Sequence, residues 1–257
     1  MTCTLEDKRH RDIKARILSG LISCLAAIFS GPLPAAEAAP DISGTWVPVS
    51  SLSQPWDTAS LPLTASAKDA LAAFDPARQD SSAFCMPFGT PRNMLNTAPD
   101  PFEILVTDHQ ITFIFDRLGD VRRISTDGRP FPEDPIPSWM GYSIGSWQGS
   151  TLHVDTIAMN AESILADSGL PHSESLTLSE EITLMDSEIG LLLIDDMTLT
   201  DPENFRTPIR AIRYFQRAPY ATMSEGSSLC LLDMWRERLE NTNREMFREL
   251  QAQEAGQ

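Results

Sequence analysis

The sequence predicts a mainly β protein, built as an antiparallel up-and-down barrel of about eight strands. Short runs of alternating apolar and polar residues recur from Phe102 onward, and turn residues separate them. Alternation with a period of two is typical of strands that bury one face. Strands that follow one another at this even spacing favour a meander that closes into a barrel.

The individual strands follow from the alternation and the turns between them. FEILVTD and QITFIFD flank Asp108 and His109 and predict a hairpin, as do YSIGSW and TLHVDT on either side of the turn at 148–150. The other predicted strands are GTWVPV, DVRRIS, SLTLSEEITL, GLLLIDDMTLT and PIRAIRYFQ.

Two helices accompany the predicted strands. TASAKDALAAFD starts with a Thr/Ser cap before an alanine-rich run and predicts a short helix near the beginning of the domain. Within about 228–251, Leu231, Trp235 and Leu239 recur near helical spacing with charged residues between them. This pattern predicts an amphipathic C-terminal helix that packs on the outside of the sheet.

Residues 1–38 have the composition of a signal peptide. Lys8 and Arg16 belong to a basic leader, an apolar stretch follows, and Ala36 and Ala38 have the A-x-A spacing of a cleavage site. The apolar stretch is short for a membrane span and is interrupted by Ser and Gly. We expect a single domain at 39–257, in the periplasm or secreted, without membrane insertion after cleavage; an uncleaved anchor is the alternative.

Charge and cysteine content narrow the choice of partners. The 20 Lys+Arg and 36 Asp+Glu give a formal net charge of -16, which disfavours nucleic acid and anionic membrane surfaces. Cys3 and Cys24 would leave with the signal. Cys85 and Cys230 would remain in an oxidising compartment, either as a disulfide or as two separate thiols.

Sequence motifs for metal or nucleotide chemistry are not apparent. The cysteine and histidine spacing matches no zinc site or haem attachment, and the sequence has no H-E-x-x-H or P-loop pattern. We therefore expect neither a metal nor a cofactor, and we expect the partner to be a small hydrophobic or aromatic molecule.

One short motif resembles the start of lipocalin-like barrels. Gly44-Thr45-Trp46 is similar to the G-x-W of their first strand, in which the tryptophan closes the barrel floor. In that fold an arginine of the last strand packs over the tryptophan, and Arg210 or Arg213 would supply it here. The resemblance implies a lipocalin-like barrel.

Four longer segments carry a second resemblance. They are VRRISTDGRPFPED (121–134), GYSIGSWQGSTLHVDT (141–156), GLPHSESL (169–176) and CMPFGTPRNM (85–94). These segments resemble a family of uncharacterised secreted bacterial proteins. The family pattern has histidines where this chain has Phe131 and Tyr142, so a function that depends on those imidazoles, such as metal binding, is not expected.

Within these segments, three residues are candidates for catalysis. His172, in a loop before a strand, would act as a general acid or base with Glu174 to orient it. The alternative is a loop histidine that orders its neighbours. Tyr142 would polarise a ligand oxygen, or would simply pack with its hydroxyl satisfied.

Three arginines are candidates for binding an anionic substrate. Arg122 and Arg123 are adjacent in a predicted strand, so one of them faces inward. An inward arginine needs an anionic partner, which would be a ligand carboxylate or one of the acids at 195 and 196. The ion pair is the simpler interpretation, and Asp195 is included among the substrate-site candidates. Arg92 is a further candidate anion contact.

The proline-rich segment between two strands supplies candidate aromatic contacts. Phe131, Trp139 and Tyr142 suit a cover over the barrel mouth, whereas a stiff connection lying on the outer sheet is equally consistent with the composition.

These residues together predict a secreted enzyme that catalyses a cofactor-independent acid–base elimination or isomerisation of a small aromatic carboxylate. Some cofactor-free lyases of lignin-derived aromatic dimers are similar in being secreted and β-rich, which implies a lyase of aromatic compound catabolism. The alternatives are a non-catalytic periplasmic lipocalin-like carrier or sensor of a hydrophobic ligand, and an envelope protein whose barrel is filled by side chains.

Overall fold

The computed structural model describes residues 39–53, 56–95, 98 and 100–219, together with the isolated positions 223, 240, 241, 244 and 248. The described barrel belongs to a compact unit that begins at Ala38. Of the predicted C-terminal helix (228–251), only four of the isolated positions are described. Among the described residues, no helix has the length and apolar character needed to cross a membrane.

Nine strands form a closed barrel, which confirms the predicted mainly β fold with one strand more than expected. Each strand pairs with the next in the chain, and the first pairs with the last. The strands are β1 Gly44–Pro48, β2 Phe102–Val106, β3 Gln110–Phe115, β4 Val121–Ser125, β5 Tyr142–Gln148, β6 Thr151–Ile157, β7 Thr177–Ser187, β8 Gly190–Thr200 and β9 Ile209–Arg217.

The odd number of strands requires one parallel pair. Strands of alternating direction close into a ring only when their number is even, so a nine-stranded ring must contain two neighbours that run the same way. These neighbours are β4 and β5, and the other pairs are antiparallel. The expectation of a wholly antiparallel barrel was therefore wrong at this pair.

Helices are short and lie mostly between β1 and β2. They are α1 Ala65–Ala72, α2 Pro76–Gln79 and α3 Thr90–Leu95, with 3₁₀ turns at Thr58–Ser60 and Ser81–Phe84. The predicted N-terminal helix is confirmed as α1. Its cap is Thr64, whose hydroxyl accepts a hydrogen bond from the Ala67 amide at 3.2 Å and so satisfies one of the free donors of the first turn.

Inward-facing side chains form the hydrophobic core of the barrel. In β3, residues at alternate positions are buried, as expected for a strand with one face toward the core. The ring of Phe102 lies 5.6 Å from those of Phe113 and Phe115 and 4.9 Å from that of Phe215. Each such pair contributes about 0.5–1.5 kcal/mol beyond the burial of apolar area.

Trp46, the tryptophan of the G-x-W motif, belongs to this core. It is fully buried, and its indole Nε1 donates a hydrogen bond to the Ile42 carbonyl at 2.9 Å. The cation over its ring is Arg217, at 5.2 Å, so the assignment to Arg210 or Arg213 was wrong. Arg217 is the direct β9 partner of Trp46 in β1, which places the two side chains together.

Candidate functional site: the strap cleft

The pairing between β4 and β5 is limited to two residues of each strand. Ile124 lies opposite Ser143, and Ser125 lies opposite Ile144. The preceding β4 residues, Val121–Arg123, have no partner in β5 within the described chain. Because β5 begins at Tyr142, the first part of β4 lies beyond the start of β5 and is not covered by it.

The segment that joins these strands, residues 126–141, is here called the strap. Between the strap, the end of β4 and the beginning of β5 lies a cavity of about 870 Å³, here called the strap cleft. Its volume falls within the roughly 300–1,000 Å³ of small-molecule sites. The residues most relevant to binding are Arg123 and Ser125 of β4, Arg129, Phe131 and Trp139 of the strap, and Tyr142 of β5.

The cleft lies on the outer side of the barrel wall. On β4, Arg122 and Ile124 are buried, whereas the alternate residue Arg123 is exposed. Tyr142 is likewise exposed, while its neighbour Ser143 is buried. Of the two interpretations of the proline-rich segment, the connection on the outer sheet matches the structure.

The C-terminal end of the strap is firmly attached to the barrel. The Ser138 amide donates to the Ala158 carbonyl at 3.0 Å. Thr90 donates twice, from its amide to the Trp139 carbonyl at 3.3 Å and from its hydroxyl to the Met140 carbonyl at 2.8 Å. This part of the cleft wall is thus held in place before any ligand arrives.

Gly141 makes this attachment possible. Its φ of +63° is in the left-handed region, and a Cβ at this position would lie only 2.5 Å from the Ile157 carbonyl oxygen. Because both the backbone conformation and the space require it, glycine is needed where the strap meets β6.

The two arginines of the cleft differ in their electrostatic surroundings. Arg129 is paired with Asp127, with Nε 2.8 Å from Oδ1, and the arginine lowers the pKa of Asp127 to about 2. Arg123 is exposed and has no ion-pair or hydrogen-bond partner for its guanidinium in the described part of the chain. The cleft therefore has one cation whose charge is not offset by a contacting carboxylate.

Four of the residues singled out from the sequence line this one cleft: Arg123, Phe131, Trp139 and Tyr142. The rings of Phe131 and Trp139 belong to half-buried residues, and Tyr142 is 37% exposed. The structure thus gathers an uncompensated cation and three aromatic side chains around a space of ligand size.

Arg122 lies behind the cleft, inside the barrel, and is fully buried. Its Nη1 donates to Glu180 Oε1 at 2.7 Å, and its Nη2 donates to the other carboxylate oxygen and to Thr156 at 3.0 Å. Its Nε donates to Ser143 at 3.3 Å. Arg122 thus has a protein partner, as the ion-pair alternative held, but this partner is Glu180 rather than either predicted aspartate.

Asp195 is also fully buried in the barrel, and neither carboxyl oxygen has a hydrogen-bond partner among the described residues. Burial, reinforced by the charge of Glu180, raises the pKa of Asp195 well above its ordinary value. The next residue, Asp196, faces outward and pairs with Arg210 at 2.6 Å. The predicted split of the two aspartates between the faces of β8 is confirmed.

His172 is buried and belongs to a different contact group. Its Nε2 lies 2.8 Å from the Ser163 hydroxyl, and its Nδ1 lies 3.2 Å from the Ser173 carbonyl. Because a carbonyl only accepts, Nδ1 carries the proton and Nε2 accepts from Ser163. Burial lowers the pKa of His172. Glu174 is exposed, and within the described chain no hydrogen bond joins it to His172.

Arg92 has its charge satisfied by protein groups. Its two terminal nitrogens donate to the Asp80 carboxylate at 2.7 and 2.9 Å, and one also donates to Asp167 at 2.8 Å. The guanidinium lies 4.3 Å from the centre of the Phe88 ring. These contacts join α3 to the loops that carry Asp80 and Asp167. Because two carboxylates already offset its charge, Arg92 is less suited than Arg123 to binding an anionic ligand.

Sequence reasoning missed two of these contacts for different reasons. Glu180 had a signal, because it shares a buried strand face with Leu178 and Ile182. Ser163 had none, since a serine nine residues before a histidine follows no recognisable motif.

The described residues contain no cluster of three or more His, Cys, Asp or Glu side chains suited to holding a metal ion. Comparison with protein-family models and with curated proteins finds no match for this sequence.

Proposed function

We propose that the protein binds a small aromatic carboxylate in the strap cleft and acts as a carrier or sensor outside the cytoplasm. The observation that carries the proposal is the uncompensated Arg123 guanidinium at the edge of an aromatic cavity of about 870 Å³. The leader of the sequence supports the location, because it has the charge and apolar pattern of a secretion signal.

Arg123 supports an anionic ligand with a planar acid group. A guanidinium stays charged at any physiological pH and matches a carboxylate with two parallel hydrogen bonds. The protein has a formal net charge of -16, so its overall field repels anions. A carboxylate would therefore bind where a local cation outweighs that field.

The aromatic side chains support a ring in the same ligand. Phe131, Trp139 and Tyr142 offer large apolar faces, and offset or edge-to-face contacts between rings are favourable. The fixed attachment of Ser138–Met140 reduces the ordering cost of binding.

The family resemblance supports the same region. Its two longest motifs, at 121–134 and 141–156, supply β4, most of the strap and β5, which together form both walls of the cleft. The segments that resemble the family thus form the surface at which we propose that the ligand binds.

A second candidate is elimination or isomerisation of the bound acid, including cleavage of lignin-derived aromatic dimers. It is favoured by the position of Tyr142, whose residue lines the cleft together with Arg123. In this mechanism Arg123 would hold the carboxylate and the Tyr142 hydroxyl would donate a hydrogen bond to a ligand oxygen. The Asp120 carboxylate, which also lines the cleft, would accept the proton released from carbon. Incubation of the protein with such dimers, followed by chromatographic analysis, tests for product.

Titration calorimetry with 3-phenylpropanoate tests the binding proposal. Arg123→Gln removes the charge and should weaken binding by about tenfold to a hundredfold, the range expected for a lost charge-assisted hydrogen bond. Arg210→Gln is the matched control, because Arg210 is an exposed arginine of β9 already paired with Asp196. Equal affinity of the wild type and Arg123→Gln, or no binding at all, would rule the proposal out.

A further inference from the structure

The backbone of β4 bonds to β3 through alternate residues, as antiparallel pairs do. The Asp120 carbonyl accepts from the Phe115 amide at 2.9 Å, and the Thr126 amide donates to the His109 carbonyl at 2.9 Å. These two contacts set the alternation. Even-numbered residues from 120 to 126 therefore face β3, and the odd-numbered residues between them direct their backbone groups toward β5.

β5 pairs with only the C-terminal part of the edge of β4 that faces it. Its pairing covers Ile124 and Ser125. In the part of the chain that the structure describes, no hydrogen bond reaches the amide of Arg123 or either backbone group of Val121. Both residues line the strap cleft. One wall of the cleft is thus a sheet edge with unpaired N–H and C=O groups.

The strap does not pair with this edge. Two of its cleft-lining residues, Pro130 and Pro132, have no backbone N–H and cannot donate to a strand. The strap therefore leaves the N–H and C=O of Val121 and the N–H of Arg123 free to form hydrogen bonds with a ligand in the cleft. Such an edge is a template for an added strand, and several peptide-binding domains use it in this way.

We propose that the cleft takes the C-terminal residue of an extended peptide, with an aromatic side chain and a free carboxylate. The inference rests on the proposed function, because it uses the same cleft and the same arginine. The N–H of the terminal residue would donate to the Val121 carbonyl, and its carboxylate would accept from the Arg123 amide. The terminal carboxylate would contact the Arg123 guanidinium, and the ring would lie against Trp139 and Tyr142.

The chemistry of the cleft favours this ligand over a plain aromatic acid. A ring without an amide would cover the backbone groups of Val121 and Arg123 and leave them without hydrogen bonds, which is costly. A peptide terminus satisfies these groups while it presents the same carboxylate and ring. The uncompensated charge of Arg123 selects the C-terminal end of a chain, since an N-terminal amine would be repelled.

Titration calorimetry with three related acids tests the inference. They are 3-phenylpropanoate, N-acetyl-L-phenylalanine, and N-acetyl-N-methyl-L-phenylalanine. The last retains the ring and the carboxylate but has no amide donor. We expect N-acetyl-L-phenylalanine to bind about tenfold more tightly than either of the others, as the one hydrogen bond from its N–H to the Val121 carbonyl would give. Arg123→Gln should weaken the binding of all three acids.

The possible results separate the two proposals. Equal affinities for the three acids, all reduced in Arg123→Gln, would overturn pairing with β4 and leave the proposed function in place. Tighter binding of the acetylated amino acid that persists after N-methylation would also overturn the pairing. Failure of all three acids to bind would overturn both proposals.

Discussion

Arg122 and Glu180 form a bidentate ion pair inside the barrel, in which Arg122 Nη1 lies 2.7 Å from Glu180 Oε1. Both residues are buried. β4 supplies the arginine and β7 supplies the glutamate, so the pair joins two strands that are not neighbours in the sheet. Desolvating two charges costs several kcal/mol per ion, and only good geometry with additional hydrogen bonds offsets it. Thr156 and Ser143 provide those bonds.

Glu180→Gln should therefore destabilise the protein by about 3–5 kcal/mol, because it leaves the Arg122 charge buried without a counter-ion. Urea unfolding followed by circular dichroism measures the change. The double variant Arg122→Met/Glu180→Leu should lose less than Glu180→Gln alone, since apolar side chains replace both ions. A double variant that is less stable than the single one would contradict this account of the pair.

Asp195 should make stability fall as the pH rises. Because burial raises its folded-state pKa above the ordinary value, its contribution to stability is full below about pH 4 and is lost as the pH rises toward the folded pKa. The slope approaches about 1.4 kcal/mol per pH unit for one proton. The groups whose charges act on it are Glu180, Arg122, Asp196 and Arg213.

Asp195→Asn should remove that slope. Relative to the wild type, the variant should gain stability progressively in denaturant titrations as the pH rises above about 4, the ordinary pKa of an aspartate. Asp196→Asn is the control, because Asp196 is paired with Arg210 on the outer face, and it should not reproduce this gain. A stability difference between Asp195→Asn and the wild type that does not change with pH would show that Asp195 is ionised in the folded protein.

Gly141→Ala should displace the strap and weaken ligand binding. The added Cβ would meet the Ile157 carbonyl at 2.5 Å, in addition to adopting a left-handed φ. Gly128→Ala is a matched control within the strap, since Gly128 has a φ of +76° but no atom within 4 Å of the added Cβ. Both variants carry a backbone cost of about 1–3 kcal/mol, so thermal unfolding and calorimetry should show a larger loss for Gly141→Ala. Equal losses would mean that close approach to β6 is unimportant.

Cys85 is joined in a disulfide whose partner lies outside the described residues, as Cys230 does. We predict that this partner is Cys230, because Cys3 and Cys24 would be removed with the signal. Peptide mapping of the protein purified from its host, without reduction, should recover a peptide that joins Cys85 to Cys230. Recovery of Cys85 linked to Cys3 or Cys24 would contradict both the pairing and the removal of the leader.

The sequence predicted the barrel because strand alternation is a local property. A period of two identifies which residues of β3 or β7 face inward, without knowledge of their neighbours. Barrel closure is not a local property. A ring contains a parallel pair when its number of strands is odd, so a strand count that is wrong by one misses the parallel pairing of β4 with β5. The prediction of about eight strands therefore missed the geometry that opens the strap cleft.

The candidate site was predicted where its residues are close together in the chain. Arg123 and Tyr142 are separated by a single connection, and the composition of that connection indicated aromatic contacts. The alternation in β7 marks Glu180 as an inward-facing acid, but its pairing with Arg122 depends on strands brought together by the fold. Nothing in the sequence indicates that Ser163 is the partner of His172.

The indole N–H resonances of the five tryptophans test most directly whether the ligand binds in the strap cleft. In a ¹⁵N-labelled sample titrated with N-acetyl-L-phenylalanine, the Trp139 resonance should shift and the Trp46 resonance should not. Trp46 is fully buried in the barrel core, and its indole N–H donates to the Ile42 carbonyl. Replacement of each tryptophan by phenylalanine assigns the two signals. A shift of Trp46 with Trp139 unchanged would place the ligand inside the barrel and contradict the account.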